Sequence, residues 1–313
     1  MCFKLPRKKY RKKPVYRFFL LLLLSFLTTV EAAENYGYQS GEADRSVFWS
    51  IEKEGQPAGF VLGTIHSEDP RVLDFTEDFL KKLKSNSIFA MEMVPDLPTL
   101  ARLTEYMHLP PDQSLETVIG KTRFEALKTA MSAYSVPTDF VSRMKPWAAM
   151  MTLSTPPPET GFFMDLSLSL RASGSGLKVI GLETLEQQLS FLQDMPMPMQ
   201  LDLLDQAIDE AGRVKDAHDQ MVAVYLENDL VQLEAMTNEE FETVGPEAKT
   251  YFFEAGIVKR NYRMLDSLLH QLENHRVFVA VGALHLPGEE GLLELLRRNG
   301  YVLSPLKMPF IPE

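Results

Sequence analysis

Cysteine is almost absent from this chain: its 313 residues contain one, Cys2. An internal disulfide framework is therefore excluded, and a thiol nucleophile anywhere in the body of the protein is excluded with it. Basic charge is also scarce, with 32 Lys and Arg against 43 Asp and Glu and a formal net charge of −11. A surface of that sign repels phosphate backbones, which argues against nucleic acid as a partner. Long apolar runs are missing apart from FFLLLLLSFLTTV at 18–30, thirteen residues where a helix needs about 20 to cross a bilayer.

That run follows eight basic residues between Lys4 and Arg17 and precedes VEAAEN, with Val30 and Ala32 at the spacing of a cleavage site. The pattern predicts a signal peptide over 1–32 and a mature start near Ala33, with an uncleaved inner-membrane anchor as the alternative. Either way the body is expected to be exported to the periplasm, and the membrane is met only through this segment. Cleavage removes Cys2, eight basic residues and one acidic residue, leaving the mature chain near −18. Residues 33–313 read as one domain, since neither a linker-like stretch nor a long repeat divides them.

What the body does have is a set of apolar runs that end in polar groups. FVLGTIH ends at His66, SIFAMEM carries Glu92, LKVIGLE ends at Glu183 and RVFVAVGALH ends at His285. Each is too continuously apolar to have one wet face, so 60–64, 88–92, 179–182 and 277–281 are predicted as inner strands of one mostly parallel sheet with helices on both faces. Open α/β sheets collect ligands beyond the carboxyl ends of their strands, and four such ends would meet at one edge. DFTEDFLKKLKS supplies a helix between the first two strands. SVFWSIEK and GFVLGT, flanking EGQP, predict an antiparallel hairpin ahead of them. Glu289 and Glu290 are expected in the first turn of a closing helix that Asn299 and Gly300 stop. The proline-broken helical stretches at about 97–175 and 185–272 are expected to cap the sheet edge, with MPMPM (195–199) as an extended loop.

Two of the strand ends share the spacing G-x-x-H: Gly63 with His66, and Gly282 with His285. Glycine lets the backbone turn sharply or approach a ligand closely. Two imidazoles and a carboxylate are the donor types that hold a divalent metal with an open position, so His66, Glu92 and His285 are the candidate ligands. Glu183 is a candidate fourth ligand or general base. Arg260 is a candidate to hold a substrate carboxylate or a developing oxyanion. His108, His218, His270 and His275 lack a partner motif and read as surface residues. Lys145 and Trp147 read as a helix start and a core aromatic.

These motifs together resemble the TraB/GumN family, related to Tiki metalloproteases and to TraB pheromone-shutdown proteins. The resemblance runs through LGTIH, Glu92, MKPWAA, GLETLEQQ, KRN at Arg260 and Asn261, and VGALHLPGEEGLLELLRRNGY. It implies an α/β fold like that of erythromycin esterase and ChaN, with both G-x-x-H histidines and the first glutamate at the active centre. It also implies metal-dependent proteolysis with manganese or cobalt. MEM at 91–93 departs from the family's E-x-D, and GFFMDLSL places Asp165 away from the usual position of the family's helical aspartate. Two classes of function follow. One is a metal-dependent hydrolase acting on a peptide or small-molecule substrate; the other is a non-catalytic binder that sequesters a peptide, haem or metal in the same cleft.

Overall fold

The computed structural model describes residues 45–241 and 244–311. The predicted leader, Cys2 and the expected mature start lie outside them. No helix among the described residues is long and apolar enough to cross a membrane.

The apolar runs become strands β1 (Phe48–Lys53), β2 (Gln56–Thr64), β3 (Ile88–Met91), β4 (Lys178–Gly181), β5 (Val277–Gly282) and β6 (Tyr301–Pro305). They form one mixed α/β sheet in the order β4-β3-β5-β2-β1-β6. The four predicted strands pair in parallel, while β1 and β6 are antiparallel additions beyond β2. Every residue of β3 and β5 is buried, and because successive side chains point to opposite faces, both faces of the sheet are covered there.

One prediction needs correction. β4 is an edge strand, not an inner one, and its Lys178 and Gly181 are exposed. Lysine on an edge strand discourages pairing with another chain.

The hairpin turns on Glu54 and Gly55, both at positive φ (51° and 74°), a loop whose twist matches that of the strands it joins. Gln56 and Pro57, read as part of the turn, belong to β2. Between β2 and β3, the helix Glu77–Lys84 is capped by Thr76 and buries Phe79 and Leu83 against the sheet.

The helical stretches divide between two cores. Helices Met164–Gly174, Val214–Leu226 and Lys259–Leu272 bury their apolar faces in the core around the sheet. Helices Pro146–Leu153, Leu185–Gln193 and Met197–Glu210 build a second core with Phe252, Phe253 and Ile257. Trp147 is buried in that second core and Lys145 precedes its helix, as expected. MPMPM is not an extended loop throughout: Met197 and Pro198 form the first helical turn, where proline's missing N–H costs nothing.

His285 does not run straight into a helix. It ends a 3₁₀ turn, Ala283–His285, and the closing helix Leu292–Arg298 begins only after Gly291. Pro287 and Gly288 (φ 84°) interrupt the chain, so Glu289 and Glu290 precede the helix and Glu294 takes the first-turn position. Asn299 and Gly300 stop the helix where expected.

Gly63 has a packing role. A Cβ there would lie 2.8 Å from the Cα of Ala283 and 2.9 Å from Cδ1 of Leu286, so the glycine lets the His285 turn sit directly on β2. Gly63→Ala is expected to destabilise the protein by about 1–3 kcal/mol, because the obstacle is backbone and cannot rotate away. Urea unfolding measures this, and an unchanged midpoint would show that the turn is not held against β2.

Candidate metal centre

Parallel registry brings the strand ends together. Thr64 pairs with Gly282 across β2 and β5, and Met91 with Ala280 across β3 and β5. The two G-x-x-H motifs therefore lie side by side, one residue out of step. Gly282 has φ −49°, open to any residue, and its N–H donates to Glu92 Oε1 at 2.7 Å. Beyond β3 and β4 the ladder continues, with Glu183 N–H donating to the Glu92 carbonyl at 2.9 Å.

Glu92, Glu183, Arg260 and His285 converge in the interior. Arg260 Nη2 donates to Glu92 Oε2 (2.6 Å) and Glu183 Oε2 (2.7 Å), and its Nε donates to Glu183 Oε2 (2.8 Å). Gln188 Nε2 adds a longer bond to Glu92 Oε2, 3.4 Å. The role expected for Arg260 is thus corrected: the guanidinium is 1% exposed and serves as counter-ion to two buried carboxylates, not as a free clamp for substrate. One cation against two carboxylates leaves the group at a formal −1.

His285 is fully buried. Its Nδ1 lies 2.6 Å from Asn261 Oδ1, and its Nε2 faces Glu92 Oε1 at 3.8 Å. Asn261 Nδ2 donates to the Glu290 carbonyl at 2.7 Å. Arg260 and Asn261 are consecutive, and the 100° step between helical neighbours sends one toward the two glutamates and the other toward the β5 turn. A π-helical turn, Phe252–Val258, leads into their helix, a device common at functional sites.

Burial pushes the Glu92 carboxyl above the ordinary range, opposed by Arg260 and the Gly282 N–H. Burial, reinforced by the charge of Arg260, holds His285 well below the usual imidazole range, so its ring is neutral at physiological pH.

His66 belongs to a second group. It is about one-third exposed, stacks on Phe163 with ring centroids 3.8 Å apart, and faces Asp165 Oδ2 with its Nδ1 at 3.9 Å. Asp165 opens the helix Met164–Gly174, and its Oδ1 accepts from Thr64 Oγ1 at 2.7 Å. Tyr225 donates to the Gly63 carbonyl at 2.6 Å, fixing the same strand end. Among the described residues no three His, Asp or Glu side chains stand together as a metal-binding group. The predicted triad is accordingly divided: Glu92 and His285 are neighbours, whereas the acidic partner of His66 is Asp165.

The reading of His270 and His275 as surface residues agrees with their exposure, but His108 and His218 are half-buried. His218 hydrogen-bonds the backbone of His66, and burial lowers its pKa. Asn261 was visible only as part of a motif. For Tyr225, isolated in VAVYLEN, no sequence signal existed.

The donor chemistry suits a divalent cation. His285 Nε2, Glu183 Oε1 and Asp165 Oδ2 are buried without a hydrogen-bond partner, and buried polar atoms left unpaired cost about 1–3 kcal/mol each. The first two belong to the buried group and the third lies beside His66; imidazole nitrogen and carboxylate oxygen are donor types that a divalent cation takes.

The family model for the TraB/PrgY/gumN family matches residues 47–305. "Metalloprotease TIKI2" of Danio rerio is 23% identical, covering 85% of this chain and 62% of the relative. "Metalloprotease TIKI2" of Xenopus tropicalis is 24% identical (84% and 60%), and "Metalloprotease TIKI1" of Homo sapiens is 24% identical (82% and 61%). The chain thus spans about three-fifths of the length of these curated relatives. No solved structure matches it. With more than half of its length matched by the family model, the chain belongs to the TraB/PrgY/gumN family.

Proposed function

We propose that this protein is an exported metal-dependent hydrolase that cleaves peptides. The observation that carries the proposal is the fully buried imidazole of His285, whose Nε2 has no hydrogen-bond partner and faces Glu92, one of two glutamates that share the single cation of Arg260. The printed names of the curated relatives, metalloproteases, support the reaction class. Export rests on the leader pattern at 1–32 and belongs to the proposal.

His285 and Glu92 are the inner ligands, and His66, just after β2, with Asp165, on the helix Met164–Gly174, are the donors of the neighbouring group. Manganese and cobalt are the first metals to test. A divalent ion held by these residues supplies Lewis-acid polarisation of a substrate carbonyl. Glu183 takes the proton of the attacking water at Oε1, since its other oxygen is committed to Arg260. Arg260 is the counter-ion of Glu92 and Glu183 and holds both in place. Phe163, stacked on His66, restricts motion of that ring.

Protein purified without chelators is expected to contain close to one equivalent of metal and to hydrolyse an unstructured peptide, whereas His285→Ala contains little metal and has no activity. Elemental analysis alongside a fluorogenic peptide assay reads both. Equal, low metal in the two preparations would overturn the proposal. Bound metal without turnover on any peptide would favour the sequestering alternative, and a haem Soret band would identify haem as the bound group.

A further inference from the structure

We infer that Asn261 is a positioning residue that fixes the tautomer of His285, leaving the Nε2 lone pair free and aimed toward Glu92. Asn261 meets the Glu290 carbonyl at 2.7 Å, and a carbonyl oxygen only accepts, so the side-chain atom facing it must be the amide nitrogen. The other end of the amide, Oδ1, therefore faces His285 Nδ1 at 2.6 Å. An amide oxygen also only accepts, so Nδ1 carries the proton. In a neutral imidazole the second nitrogen is then unprotonated.

The surroundings hold this arrangement in place. Asn261 and His285 are both 0% exposed, so water cannot substitute for either partner. The anchoring carbonyl of Glu290 lies in the turn between His285 and the helix Leu292–Arg298, the interruption caused by Pro287 and Gly288. Because Asn261 follows Arg260 directly, one helical turn orients both the carboxylates and the imidazole. The opposite tautomer would put N–H at Nε2, where it could not ligate a metal, and would set two acceptors against each other at 2.6 Å.

The consequence for metal binding rests on the function proposed above, but the tautomer does not. The experiment uses the metal-free full chain with ¹⁵N-labelled histidine, the His285 ring being assigned by its loss in His285→Ala. Long-range ¹H–¹⁵N spectra are expected to show a protonated Nδ1 and an unprotonated Nε2. Asn261→Ala should lose this signature and bind Mn²⁺ or Co²⁺ about 10–100-fold more weakly, whereas Asn261→Asp, whose carboxyl in its protonated form donates to the Glu290 carbonyl and accepts from Nδ1, should recover the tautomer and most of the affinity. A merely structural asparagine would not give that pattern of loss and rescue. A proton on Nε2 in the wild-type protein would overturn the inference, as would an alanine variant that keeps both tautomer and affinity. Should Asn261→Ala fail to fold, the wild-type spectrum and the aspartate variant decide. Wild-type protein with the expected tautomer but no metal affinity upholds the inference and removes the metal reading alone.

Discussion

Replacing Arg260 by methionine is expected to cost about 3–5 kcal/mol of folding stability at neutral pH, as breaking a buried ion pair from one side does. The side chain is 1% exposed and bonds two glutamates that are almost as deeply buried. Methionine fills much of the volume, so the loss reports the charge, not a cavity. Without the guanidinium, two carboxylates share an apolar site and must take up protons or unfold the region. The sign of the pH dependence follows. Glu92 already lies above the ordinary carboxylate range through burial, and removing the cation that opposes this raises it further. A carboxyl with a raised folded-state pKa contributes its full stability below its unfolded value, near 4.5, and loses it as pH rises through the folded value. The gap between variant and wild type should therefore be widest at pH 7–8 and narrow toward pH 4.5. Denaturant titrations across that range measure it. Adding Glu92→Gln and Glu183→Gln to Arg260→Met should recover most of the loss, since no uncompensated charge remains. A single-variant cost under about 1 kcal/mol at pH 8 would mean that the carboxylates are not charged in the folded protein.

How much of this was legible in the sequence depends on the range of the interaction. The strands β2, β3 and β5 could be read because burial on both faces demands unbroken apolar runs, and the parallel register follows from their common polar ends. The edge position of β4 is not legible in its short apolar run, because position within a sheet is a non-local property. The start of the closing helix is ambiguous in sequence, because Glu289 and Glu290 resemble first-turn carboxylates while Pro287 and Gly288 delay the helix to Leu292. Candidate chemistry was legible as residue types at strand ends, but partners were not. No local pattern reveals that two glutamates distant in sequence meet Arg260, so its burial as a counter-ion is not legible in the sequence. The nearness of Asp165 to His66 depends equally on how the helix Met164–Gly174 packs against β2. Gly63 shows the same limit, since its glycine was correctly singled out but its neighbour, Ala283, comes from a turn over two hundred residues away.

Glu183→Gln is expected to lower peptide hydrolysis by about 10²–10⁴-fold, the range for loss of a general base, while leaving the fold intact. The two oxygens of Glu183 have different duties. Oε2 accepts from Nε and Nη2 of Arg260, whereas Oε1 is buried without a hydrogen-bond partner. Glutamine can keep its carbonyl oxygen on the guanidinium and place its amide where Oε1 was, so the counter-ion contact survives and only the proton-accepting atom is lost. Glu92 has a different duty: Arg260 holds its Oε2, while its Oε1, which accepts from the Gly282 N–H, faces His285 as the proposed ligand atom. Metal content separates the two roles open to Glu183. If the residue is the base, the glutamine variant keeps wild-type metal and a near-normal KM, and the acidic limb of its kcat/KM profile disappears. If it is a ligand, metal is lost together with activity. Undiminished turnover in a metal-loaded Glu183→Gln enzyme would remove Glu183 from the reaction and return it to the same standing as Arg260, a charge that holds the strand ends together.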